Sequence, residues 1–241
     1  MLLLQFSTSH YCRKARLALG YKGLEYRVEN LTPGAHVFRL KPLTGLTTVP
    51  VLLPELPESP ESLGKEAIAD SSHIFAFLEQ HQPEPPLFPA DPVQRMEAKQ
   101  LEDWLDESIG VATRFVYYDY RAGEGKAIDP SLMSQAVIQI VRRQYGMTPA
   151  RVALAAERLE EGLVFLRSRW HDQSFLVGDR LSIADLSAAA LLSPLARLPH
   201  YRNLHPWLFA RIIEVHQACR EPLPPGLSDA DAPTVVSTSS P

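Results

Sequence analysis

Two short polar stretches carry residue types that can do chemistry, and each stands just ahead of a helical pattern. The first is Phe6-Ser7-Thr8-Ser9-His10-Tyr11-Cys12-Arg13. A short apolar run, Met1 to Gln5, precedes its hydroxyls, and from His10 onward Tyr11, Ala15, Ala18 and Leu19 recur at helical spacing. Ser7, Thr8 and Ser9 therefore fall at a strand-to-helix turn, where a hydroxyl accepts from the first free backbone N–H groups. A helix N-terminus stabilises an anion placed beside it, so a hydroxyl held there is positioned to stabilise a thiolate. A plain helix cap accounts for the same residues, and all three hydroxyls are open to the role. The second stretch is Asp70-Ser71-Ser72, ahead of Ile74, Phe77 and Leu78 on one helical stripe. It sets an acceptor and a donor side by side at a helix start.

Other reactive types read as structural. Cys12 lies one turn into the first helix and is expected to be a buried packing residue. His10 and Cys12 point in different directions on a helix, so they do not form a metal pair, and no His/Cys cluster has ligand spacing. His10 and His73 are read as surface or satisfied polar groups, and Arg13, Lys14 and Arg16 as a solvated face. Tyr117, Tyr118 and Tyr120 close a long helical pattern, where core packing accounts for at least two of them.

These residues must be held by elements that the sequence outlines. After the first helix, Leu24 to Val28 alternates as a half-buried strand and Ala35 to Leu40 suits a short helix. Thr48-Val49-Pro50-Val51-Leu52-Leu53 reads as a buried strand that begins at the proline or contains a cis Val49–Pro50 bond. Pro54 to Lys65 reads as a polar loop, and Glu66 to Ala69 as a last short strand. The order is βαβ-ββα. Five prolines in the stretch from Gln82 through Pro92 mark a division, giving domains of 1–81 and 92–220. The second is all helix. Asp91-Pro92, Asp129-Pro130 and Thr148-Pro149 start helices of 92–119, 130–146 and 149–170. Ser182-Ile183-Ala184-Asp185 is a capping box, and a last helix covers Pro206 to Cys219. Residues 221–241 have the composition of a disordered tail.

The chain has 241 residues with a formal net charge of -4 and no basic patch, which argues against nucleic acid as a partner. No stretch approaches the roughly 20 apolar residues of a membrane span, and the N-terminal run suits no secretory leader. Two cysteines, Cys12 and Cys219, fit a reducing compartment. A cytoplasmic protein is expected.

Four segments resemble one family. Ser9-His10-Tyr11-Cys12-Arg13 resembles the Ser-x-x-Cys-Arg turn of serine-type cytosolic glutathione transferases. Thr48-Val49-Pro50-Val51-Leu52 resembles their cis-proline loop, Asp70-Ser71 their acidic-Ser pair, and Gly178 to Asp185 their helix-capping motif. The resemblance implies a thioredoxin-like α/β N-terminal domain followed by an all-α bundle. It implies that Ser9 holds the glutathione thiolate, with Ser7 or Thr8 as substitutes. Val49 and Pro50 would meet the cysteinyl part, and Asp70 and Ser71 the γ-glutamyl end. Extra length at Leu43-Thr44-Gly45 leaves Thr48 or Lys41 for the glycyl carboxylate. Glutathione would be the co-substrate without a metal, a small hydrophobic electrophile the second substrate, and the protein a homodimer in detoxification. Related readings are glutathione-dependent isomerisation, dehalogenation or peroxide reduction, and a non-catalytic stress or interaction module. Serine at the first position of the turn, where thioredoxin relatives carry their attacking cysteine, argues against disulfide exchange.

Overall fold

In a computed structural model of the chain, residues 1–54 and 67–227 are described. The N-terminal half comprises β1 (Leu2–Gln5), α1 (His10–Tyr21), β2 (Arg27–Asn30), α2 (His36–Thr44), β3 (Val51–Leu53), β4 (Ile68–Ala69) and α3 (Ser71–His81). The four strands form one mixed sheet in the order β2-β1-β3-β4, with β1 and β2 parallel and β3 antiparallel to both β1 and β4. Leu4 pairs with Val51, and Val51 with Ala69. The chain leaving β1, the chain entering β3 and the chain leaving β4 therefore meet at one end of the sheet. That register brings Ser9, Pro50 and Asp70 to the same end.

Local signals explain most elements. Ser9 caps α1, and Asp70 caps α3. The Val49–Pro50 bond is cis and β3 starts at the next residue, so the proline donates nothing to the ladder. The second strand departs from expectation. It lies at Arg27–Asn30 and is largely exposed, because Leu24 and Tyr26 are drawn onto the core and β2 pairs only at the sheet edge. Helix α2 runs on to Thr44 before Gly45 ends it. The loop expected over Pro54 to Lys65 lies outside the described residues after its first member.

The C-terminal half is helical among the described residues: α4 (Pro92–Trp104), α5 (Gly110–Ala122), α6 (Leu132–Gln144), α7 (Pro149–Asp172), α8 (Ile183–Leu192), α9 (Pro199–Leu204) and α10 (Pro206–Ala218). The helix expected over 92–119 is a longer rod, 92–122, interrupted by one π-helical turn at Leu105–Ile109. Ser131, not Asp129, caps α6, while Asp129 accepts from the Ser131 N–H. The capping box at Ser182 and Asp185 is formed. Asp185 is fully buried and also takes the Leu176 N–H and the Trp170 indole N–H. Every residue of α8 is buried, because α1 packs along it. At Gly20 a Cβ would lie 2.0 Å from the Cys219 carbonyl oxygen, so the close approach of α1 to the end of α10 requires glycine.

The solvated face expected for Arg13, Lys14 and Arg16 does not exist. All three are buried, since α1 lies between α3 on one side and α8 on the other. Each cation finds a partner far along the chain: Lys14 bonds Glu102 and Asp106, Arg16 bonds Glu221 and Gln5, and Arg13 donates to Ser193. Of the segment 221–241, Glu221 makes that pair and Leu227 is buried, while 228–241 lie outside the described residues.

Candidate functional site

Ser9 stands half-buried at the N-cap of α1 with extended backbone, φ -73 and ψ 124, and its Oγ accepts from the Cys12 N–H at 3.3 Å. The cap uses one lone pair of the oxygen, and the same hydroxyl lies within hydrogen-bond reach of the Cys12 thiol. Ser7 and Thr8 are exposed on the turn. Cys12 is fully buried, and burial first of all pushes its thiol pKa up, so it is a packing thiol rather than a second nucleophile.

Pro50 is buried at the start of β3, and its carbonyl accepts from the Asp70 N–H at 3.3 Å. Val49 is half-buried beside it, whereas Thr48 and Lys41 are exposed. Asp70 is exposed and caps α3 itself, one carboxylate oxygen accepting from Ser72 N–H at 2.8 Å and His73 N–H at 3.4 Å. Its other oxygen has no partner among the described residues. Its backbone has φ 77 and ψ 137, a conformation that costs a non-glycine residue on the order of 1–3 kcal/mol. Ser71 follows at the first position of α3, buried to 1% exposure, and its hydroxyl has no partner. A buried unpaired hydroxyl beside a carboxylate oxygen left open suits a ligand end that bears both an ammonium and a carboxylate.

Beneath this corner lies a charged cluster that sequence reasoning missed. Lys14, with no exposed surface, bonds Glu102 on α4 and lies 2.6 Å from Oδ2 of Asp106 in the π-turn. Its Nζ also sits 4.9 Å from the centre of the Phe75 ring. Ser72 Oγ reaches both carboxylates. One ammonium thus serves two acids, and Asp106 Oδ1 is buried without a partner. Burial raises the Asp106 pKa from 3.8 to about 6; Lys14 opposes that shift, and the nearby Glu102 and Asp70 add to it. The π-turn has its cause on another element. The Tyr11 hydroxyl donates to the Asp106 carbonyl at 2.7 Å, while the Gly110 N–H reaches back to Leu105. A Cβ on Gly110 would stand 3.1 Å from that same Tyr11 hydroxyl.

His10 is buried rather than at the surface, and burial followed by Arg114 and Arg13 lowers its pKa, so its ring is neutral. Of the three tyrosines, Tyr117 accepts from Arg121 and Tyr120 packs on Gly125. Tyr118 meets Tyr117 edge-on. A polar cavity of about 460 Å³ between α4, α7 and the 173–179 loop touches none of the expected site residues, and its Arg169 and Glu97 pair with each other. Among the described residues no group of three or more His, Cys, Asp or Glu side chains could hold a metal ion, and no helix is long and apolar enough to cross a membrane.

Comparison with known proteins agrees with this architecture. Residues 3–86 match the model of the glutathione S-transferase N-terminal domain, and residues 149–220 that of the C-terminal domain. Glutathione S-transferase 1 of Dianthus caryophyllus is 27% identical over 194 residues, 78% of this chain and 74% of that protein. FtsZ-localized protein A of Caulobacter vibrioides is 25% identical over 182 residues, covering 75% and 71%. Among solved structures, a glutathione S-transferase of Methylobacterium radiotolerans in complex with glutathione sulfonate superposes with a TM-score of 0.69 at 24% identity, covering 94% of this chain and 96% of that one. With both domain models matched on a thioredoxin-like half followed by a helical one, the chain belongs to the glutathione S-transferase family.

Proposed function

We propose that the chain is a glutathione transferase whose residues 1–81 hold glutathione and whose residues 92–220 shape the place of a hydrophobic electrophile. The observation that carries this reading is the meeting of Ser9, Pro50 and Asp70-Ser71 at one end of the sheet, where the Ser71 hydroxyl and one Asp70 carboxylate oxygen have no partner among the described residues. In this reading the Ser9 hydroxyl donates to the glutathione sulfur, the Val49 backbone pairs with the cysteinyl unit, and Asp70 and Ser71 take the γ-glutamyl ammonium and carboxylate. The thiol proton passes to solvent. The thiolate lone pair then forms the C–S bond while the leaving group departs with its electron pair.

The energetics suffice without a metal or a histidine. A free thiol titrates near about 8.5, and lowering that by about two units needs roughly 2.7 kcal/mol. A hydrogen bond to a charged group supplies about 1.5–3 kcal/mol, and a helix N-terminus about 0.3–1 kcal/mol. The same thiolate would serve glutathione-dependent isomerisation, dehalogenation or peroxide reduction. A second reading, a protein-binding module on this fold, is favoured by the match to FtsZ-localized protein A. Retention on glutathione-agarose followed by conjugation of chlorodinitrobenzene tests the proposal. Retention with turnover supports the transferase; failure of both favours the binding module.

A further inference from the structure

Arg114 sits half-buried on α5 with its guanidinium carbon 5.2 Å from the centre of the Tyr11 ring and 4.6 Å from that of Tyr145. Tyr11 is two residues past Ser9, and Tyr118 lies one turn further along α5 on the same face. Arg13, Arg16, Arg121 and Arg142 each donate to another side chain. Arg114 pairs with no carboxylate among the described residues. Aromatic faces hold a guanidinium by its π-surface and its charge, and they do not use its N–H donors, which lie in the guanidinium plane. The result is a pre-organised cation with an open donor edge next to the start of α1.

We infer that Arg114 is an anion subsite that selects second substrates carrying a carboxylate. A carboxylate matches the planar donor edge bidentately, and the two rings spare the arginine most of the ordering cost of binding. The inference rests on the proposed function for calling the ligand a second substrate; the anion site itself rests on the geometry alone.

The test is calorimetric titration of the full chain, saturated with S-methylglutathione, with chloronitrobenzoate and with its neutral amide. The parent should prefer the carboxylate. Arg114→Gln should lower chloronitrobenzoate affinity about tenfold to a hundredfold more than that of the amide, and Arg114→Lys, which keeps the charge, should retain part of the preference. Equal affinities in the parent, or equal losses for both probes in Arg114→Gln, would overturn the inference. So would a loss confined to S-methylglutathione, which would mean that the arginine meets a carboxylate of the tripeptide. A parent that prefers chloronitrobenzoate yet conjugates neither probe with glutathione would sink the transferase reading and leave the anion site standing.

Discussion

Replacing Asp106 by asparagine removes the second of two carboxylates that share the Lys14 ammonium. Asp106 titrates at about 6 in the folded chain against 3.8 for an unperturbed group. Between those values the folded chain keeps a proton that the unfolded chain has already released. Stability therefore falls as pH rises through that window and stays level above it. A shift of about two units corresponds to roughly 3 kcal/mol. Asparagine cannot ionise, so Asp106→Asn should match the parent near about pH 4 and exceed it by up to about 3 kcal/mol at neutral pH. Two buried histidines act in the opposite sense. Burial lowers His216 from 6.5 to about 4 and also lowers His10, so both cost stability as pH drops below the ordinary histidine range. Their contributions are common to parent and variant and cancel in the difference. Urea unfolding of both proteins across that pH range, in matched buffers, reads the difference directly. A variant less stable than the parent at neutral pH would show that the carboxylate is a net favourable partner of Lys14. A difference independent of pH would show that Asp106 does not titrate as argued.

The remaining predictions bear on the proposed glutathione site. Ser9→Ala should cost about 1 kcal/mol of stability, because the hydroxyl also caps α1, and should lower turnover at neutral pH about tenfold to a hundredfold with affinity largely kept. An unchanged ultraviolet titration of the bound thiolate would show that another group stabilises it. Asp70→Asn keeps the cap and should leave the melting temperature of the free protein near the parent's, while glutathione affinity measured by calorimetry drops roughly tenfold to a hundredfold. Asp70→Gly relieves the positive φ and should hold or raise the melting temperature while weakening glutathione in the same way; affinity equal to the parent's in both variants would make Asp70 purely structural.

What the sequence made legible was local. Caps at Ser9, Asp91, Thr148 and Ser182, the proline at the head of β3 and the stripe along 101–115 are each set by residues within a turn or two. What it hid is set by distant partners. Lys14 reads as a surface cation because its acids, Glu102 and Asp106, lie 88 and 92 residues further on. The apolar stripe through Leu105, Ile109 and Ala112 suits an unbroken helix, and only Tyr11, from another element, claims the carbonyl that opens the π-turn. Arg114 gains its meaning from rings on α1 and just past α6. The positive φ at Asp70 has no signature in its neighbours, since it arises where β4 turns into α3 against the Pro50 carbonyl.

Three unfavourable features gather at the start of α3. Asp70 holds a strained backbone, the Ser71 hydroxyl is buried without a partner, and Asp106 leaves excess negative charge beneath them. Folding alone requires none of these: glycine would relax the first, alanine would remove the second and asparagine the third. Their costs offset nothing in the free chain, but a ligand end with an ammonium and a carboxylate addresses all three. In the proposed site the ammonium would meet the open oxygen of Asp70 and moderate the excess charge, and the carboxylate would accept from the Ser71 hydroxyl. A surface shaped only to contact another protein has no use for a buried empty donor. The strain is therefore better explained by the proposed glutathione site than by an interaction module, and the free chain is expected to be most frustrated where it is most ready to bind.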